Sequence, residues 1–165
     1  MLFTRRQALK SENDIIFEFL KESAVWLNEK GIDYWQNWLN PTDDDISWIT
    51  EGIDNSQFYL VETETDLIGM YRLQFEDELF WGNKVDKAGY IHSFATKRTL
   101  KGEGIGSKIL EHIEEELKLK SYEYLRLDCG LAVKGLCRFY ESYGFESVGQ
   151  IVLRGEELIL YEKTL

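Results

Sequence analysis

Hydrophobic and polar positions alternate along this chain in two rhythms that change abruptly. Leu2 to Leu9 has room for a short strand. Ser11 then opens a helix, with Asp14 in its first turn helping to satisfy free N–H groups. Ile16, Phe19 or Leu20, Ala24 and Leu27 recur at helical spacing, and Gly31 is the stop. Residues 32 to 40 are rich in Trp until Pro41 breaks them off. Thr42 or Asp43 can cap a short helix carrying Ile46, Trp48 and Ile49. From Gln57 the period becomes strand-like, and Phe58 to Glu62 with Leu67 to Phe75 predicts a hairpin.

An irregular acidic stretch, Glu76 to Lys87, leads to a third clear strand, Gly89 to Thr96. Ile105, Ile109, Ile113 and Leu117 step by four, so residues 104 to 119 form an amphipathic helix. Tyr124 to Cys129 is a strand. Leu136, Phe139, Tyr140 and Tyr143 mark a helix ended by Gly144. Phe145 to Leu153 and Glu157 to Tyr161 close the chain as a hairpin. The strand–helix–strand–helix run over 89 to 143 implies two parallel strands joined by a right-handed crossover.

Composition narrows the class. The 165 residues suit one domain, 1–165, and the 44% hydrophobic share is ample for one core. With 19 Lys plus Arg against 30 Asp plus Glu, the net charge is −11. That opposes generic binding to nucleic acid or anionic lipid and would attract small cations. No apolar run approaches the ~20 residues that span a bilayer, and Met-Leu-Phe-Thr-Arg-Arg-Gln does not read as a signal peptide. Two cysteines, Cys129 and Cys137, make neither a disulfide framework nor a metal site. Reduced thiols and a cytoplasmic location are expected.

The stretch Lys101-Gly102-Glu103-Gly104-Ile105-Gly106-Ser107 lies between a strand and a helix. Glycines let an anion approach exposed N–H groups, and the helix start adds a favourable dipole. It has neither the Lys-Ser/Thr ending of a P-loop nor the Rossmann spacing. Lys97, Arg98, Lys101 and Lys108 cluster here in an acidic chain. A pyrophosphate site and a solvated loop both account for that.

Four blocks in order change the picture: Tyr90-Ile-His-Ser-Phe-Ala-Thr96, Lys101-Gly-Glu-Gly-Ile-Gly106, Leu127-Asp-Cys129 and Phe139-Tyr-Glu-Ser-Tyr-Gly-Phe145. Together they resemble the GNAT superfamily of acetyl-CoA-dependent N-acetyltransferases. The resemblance implies a single α/β domain: a mixed, twisted sheet of about seven strands flanked by helices and splayed between the fourth and fifth strands. It implies that Phe94, Ala95 and Thr96 pair with the pantetheine arm of acetyl-CoA. Lys101, Gly102, Glu103, Gly104, Ile105, Gly106 and Ser107 would hold the pyrophosphate.

Tyr140 occupies the family position that protonates the departing thiolate; a phenol, with a pKa of about 10, suits that role. Tyr140 also falls on the apolar helix stripe, which is the packing alternative. An alkylamine is mostly charged at neutral pH, so a base is needed. His92 matches a histidine that serves as base in aromatic-amine members, with Asp128 in reserve. A hydrogen-bonded structural histidine is the alternative for His92. His112 looks like surface, Tyr143 like packing, and Cys129 like a small buried apolar residue.

Val133 stands where many members place an Asn, and Thr99 and Leu100 replace a usual Pro. A non-catalytic acyl-CoA-binding sensor or interaction module is therefore the rival to direct acetyl transfer onto a primary amine. Trp26, Trp35, Trp38 and Trp48 fall where the family builds its acceptor wall. Asp43, Asp44, Asp45, Glu76, Asp77 and Glu78 are expected to rim the acceptor cleft. The expected partners are a small, cationic amine and, at most, a second copy of the chain.

Overall fold

In the computed structural model, residues 2–165 are described. Seven strands form one sheet: β1 (Thr4–Gln7), β2 (Phe58–Glu62), β3 (Leu67–Gln74), β4 (Ala88–Thr96), β5 (Tyr124–Gly130), β6 (Glu146–Leu153) and β7 (Glu156–Thr164). Their order is β1-β2-β3-β4-β5-β7-β6. The helices are α1 (Asn13–Glu29), α2 (Asp43–Asp54), α3 (Glu78–Trp81), α4 (Ile105–Leu119) and α5 (Lys134–Tyr143). The mixed α/β architecture is the expected one. The chain divides into two compact units: residues up to Leu73 with Ser93–Gly106, and Gln74–His92 with Ser107–Leu165.

In the first unit, α1 buries the predicted stripe of Ile16, Phe19, Leu20, Ala24 and Leu27. All but Leu27 join Ile49, Ile53, Phe58, Leu60, Met70 and Ala95 in one apolar cluster. Gly31 ends α1 as expected, at φ 70° with its N–H donated to Asn28 O. The start of α1 differs from expectation. Ser11 lies in a 3-10 turn, Lys10–Glu12, and does not cap the helix. Instead the Glu12 carboxylate accepts from Leu9 N and from the Arg6 guanidinium, both at 2.8 Å. The longer Glu side chain thereby holds strand β1 and the turn together.

Thr42 caps α2: its hydroxyl accepts from Asp45 N at 3.3 Å, and the Asp45 carboxylate accepts from Thr42 N at 2.8 Å. This capping box is reciprocal, and it buries Asp45. Ile49 is core, but Ile46 is 41% exposed and lies outside it.

In the second unit, β4 and β5 pair in parallel from Ala88↔Tyr124 to Ile91↔Leu127, as the crossover rule requires. The ladder stops there, although β4 runs on to Thr96 and β5 to Gly130. β5 continues antiparallel with β7, and β7 with β6. On α4, whose first two residues belong to the first unit, Ile105, Ile109, Ile113 and Leu117 are buried, with the stepping by four that predicts them. The stretch Glu76–Lys87 is not wholly irregular, since Asp77 caps the single turn of α3. No helix of the described residues is long and apolar enough to cross a membrane.

Arg126 on β5 anchors this unit. It is buried, and its guanidinium donates to Asp86, Glu162 and the Tyr90 hydroxyl at 2.7–2.8 Å. Trp81 and Tyr124 lie 5.2 and 4.8 Å from it, so the charge is both paired and faced by aromatic rings.

Candidate active site

His92 is the last β4 residue of the second unit, one step beyond the final β4–β5 pair. Its ring is sealed between two carboxylates. Nε2 is 2.7 Å from Asp77 Oδ2, and Nδ1 is 3.1 Å from Asp128 Oδ1. The Phe80 ring lies 4.5 Å away. Burial alone would lower the pKa of this imidazole, but hydrogen bonds to Asp128 and Asp77 outweigh it and raise it to about 9. An imidazolium donating from both nitrogens satisfies both acids. Asp77 has a second task, because its Oδ1 accepts from Phe80 N at 3.3 Å and starts α3.

Asp77 was expected among rim carboxylates. Its side chain is only 4% exposed, against 10% for Asp128, so it belongs to the interior of this chain of acids. Asp45, bound in the capping box, is likewise no free rim charge. Asp43, Asp44, Glu76 and Glu78 are exposed. The local signal for Asp77 is its residue type at the start of a helical turn, where a short carboxylate can accept from a main-chain N–H.

Tyr140 lies on the buried side of α5. Its ring meets Phe145 edge-on at 5.7 Å, with Phe139 and Tyr161 also alongside. Burial, with the fields of Cys129, Asp128 and Cys137, pushes the phenol well above its ordinary pKa. It therefore stays protonated. Its hydroxyl has no hydrogen-bond partner among the described residues. Cys137, unassigned in the sequence, is buried with its Sγ 3.4 Å from that of Cys129. Burial, and the second thiol beside it, push the Cys129 thiol up, so it is a poor nucleophile. His112 is exposed, and Tyr143 is half-buried with its hydroxyl donating to Glu114 at 3.3 Å.

In the first unit, Ser93 follows His92 with φ at 51°, a left-handed conformation that a non-glycine strand residue rarely adopts. Nothing in the sequence marked it. Its hydroxyl accepts from the Trp48 indole N–H at 3.1 Å. Trp48 in turn lies under the buried Arg72 guanidinium, 3.8 Å from its ring centroid. Ala95 is buried, and Phe94 and Thr96 are half-buried, all beyond the last β4–β5 pair. Of the four Trp residues expected at the acceptor wall, Trp38 is buried; Trp26, Trp35 and Trp48 are partly exposed.

The glycine turn leads directly into α4. Gly102 and Gly104 have φ of 88° and 72°, and a Cβ built on either would meet nothing within 4 Å. Open space and exposed main chain at the start of a 15-residue helix fit an anionic group. The expected basic cluster is dispersed in its pairing. Lys97 pairs with Asp66, whereas Arg98 and Lys101 lie over the Trp26 ring. Lys108 is exposed on α4.

The acetyltransferase (GNAT) family model matches residues 18–145. The chain belongs to the GNAT family. That match runs through both units. An uncharacterised N-acetyltransferase, YesJ of Bacillus subtilis, is 26% identical over 147 residues, which cover 86% of this chain and 81% of that one. A GNAT acetyltransferase of Listeria monocytogenes shares the fold at a TM-score of 0.78 and 27% identity, covering 99% of this chain and 95% of that one. The aminoglycoside acetyltransferase AAC(6')-Ib, solved with coenzyme A and kanamycin, shares the fold at a TM-score of 0.73 and 17% identity. The match covers 99% of this GNAT chain and 95% of that one.

Proposed function

We propose that this GNAT protein transfers acetyl from acetyl-CoA directly to the primary amine of a small, cationic acceptor. The observation that carries the reading is the open glycine turn at the head of α4, with Gly102 and Gly104 left-handed and unobstructed. Main-chain N–H groups of Lys101–Ser107 hold the pyrophosphate, and Phe94–Thr96 take the pantetheine arm. Acetyl-CoA supplies the activated acyl group.

The protein's own residues manage two protons. Asp128, the more exposed acid of the pair flanking His92, meets the ammonium and passes its proton to neutral His92. Asp77 holds the far side of the ring. The raised pKa makes His92 a stronger base than an ordinary imidazole, and one that is populated mainly at alkaline pH. The amine, now neutral, attacks the acetyl carbonyl. The C–S bond breaks, and the leaving thiolate takes the Tyr140 proton. Tyr140 suits the task because burial keeps it protonated and its hydroxyl is not engaged elsewhere.

Acceptor charge follows from the net −11 and from Asp43, Asp44, Glu76 and Glu78, which remain exposed. Val133 supports the rival reading of a binding module, because it is buried and provides no side-chain cap for α5. Steady-state turnover of acetyl-CoA across polyamines, aminoglycosides, peptide amines and aromatic monoamines decides. The proposal requires turnover, with kcat/KM for polycations falling as salt rises. CoA binding without turnover of any amine would establish the binding module instead. Preference for aromatic monoamines without salt dependence would refute the cationic acceptor.

A further inference from the structure

Trp26, near the end of α1, carries three cations. Lys101 Nζ lies 4.5 Å from its ring centroid, Arg98 Cζ 4.6 Å and Lys30 Nζ 5.9 Å. Arg98 and Lys101 are therefore no more than about 9 Å apart. Among the described residues, none of the three has a carboxylate within ion-pair distance. That is unexpected in a chain with 30 acids and 19 bases, where the adjacent Lys97 pairs with Asp66.

Arg98 is the most constrained of them. Its Nε is buried with no hydrogen-bond partner. Burial holds its pKa below the ordinary value, and the field of Glu22 only partly offsets this. The end of helix α1 accounts for a cation at Lys30, but not for Arg98 or Lys101. The indole face attracts cations but accepts no fork of N–H bonds. Gathered like charge and an orphaned guanidinium donor call for a compact, multiply charged acceptor. A phosphomonoester dianion has that charge and matches the guanidinium geometry.

Position narrows the source. Lys101 is the first residue of the glycine turn, and Arg98 lies three residues before it. CoA bears a 3′-phosphomonoester on its ribose in addition to the pyrophosphate. We infer that Arg98, Lys101 and Lys30, held on Trp26, form the subsite for the 3′-phosphate of CoA. This rests on the reading that the glycine turn holds the pyrophosphate. Lys101 then serves the 3′-phosphate through its ammonium and the pyrophosphate through its main chain.

Calorimetric titration with CoA and with 3′-dephospho-CoA tests it. The wild type should bind dephospho-CoA at least tenfold more weakly. Lys101→Gln and Lys30→Gln, both at exposed positions, should weaken CoA severalfold and leave dephospho-CoA unchanged. Arg98→Gln should do the same more strongly wherever its circular dichroism matches the wild type. Adenosine 3′,5′-bisphosphate should change the tryptophan fluorescence, and Trp26→Phe should abolish the change.

Equal wild-type affinity for the two cofactors would overturn the subsite and leave the glycine-turn reading standing. Binding of neither would overturn both. Inorganic phosphate that quenches Trp26 and is not displaced by CoA would overturn the CoA assignment in favour of free phosphate.

Discussion

Replacing His92 by Gln should remove a pH-dependent share of stability that can be read from the geometry around the ring. Burial opposes the charged imidazole, yet Asp128 and Asp77 at 3.1 and 2.7 Å lift its pKa from 6.5 to about 9. Between those two values the native state holds one proton more than the unfolded chain. Wild-type stability must then fall with pH at up to ~1.4 kcal/mol per unit, which totals about 3 kcal/mol. The stabilisation is complete below pH 6.5 and is lost as the pH rises to about 9. Gln cannot titrate, so the variant lacks this slope. Urea unfolding of both proteins at pH 6, 7, 8 and 9.5 reads the effect, because titrating groups that do not touch His92 cancel in the difference. Curves that stay parallel across that range would show that His92 is not held as an imidazolium, whatever the absolute cost of the substitution.

Tyr140→Phe should lower kcat ~100-fold and change the KM for acetyl-CoA little, as steady-state kinetics would show; full kcat would leave Tyr140 a packing residue. Gly104→Asp adds a charge and an unfavourable left-handed conformation at φ 72°. Calorimetry should find CoA binding weakened more than tenfold, or by over ~1.4 kcal/mol, in a protein that remains folded. Gly52→Ala would drive a Cβ into the Phe58 ring and to 3.1 Å from Arg72 Cζ, so denaturation should show a loss of ~1–3 kcal/mol.

Where side-chain period alone sets structure, the sequence was readable. The stripes of α1 and α4, the β2–β3 hairpin and the parallel β4–β5 pair all follow from spacing and crossover geometry. Local capping narrows to Thr42 or Asp43 in the sequence, and the structure puts it at Thr42, where a short hydroxyl reaches its own helix. It was misread at Ser11, where a distant Arg6 recruits Glu12 instead. The candidate site was legible by residue but not by partnership. His92 was singled out, yet the two acids that fix its charge lie 15 and 36 positions away, and no periodicity connects them. The basic run at 97–101 was visible as charge. Its division between Asp66 and Trp26 depends on tertiary placement, as does the left-handed turn at Ser93.

The double duty of Asp77 ties a proton to a motion. A four-residue helix cannot persist on its own hydrogen bonds. One oxygen of Asp77 starts α3 and the other holds His92, so opening of the turn disturbs one of the two acids that stabilise the ring's charge. Fraying of residues 78–81 and discharge of His92 are thus coupled through one carboxylate. Amide exchange at Phe80 should accelerate above pH 9 beyond the rise that hydroxide catalysis alone produces, and an ordinary base-catalysed profile would separate the two. In kinetic terms, each fraying of this single helical turn leaves the charge of the site to Asp128 alone.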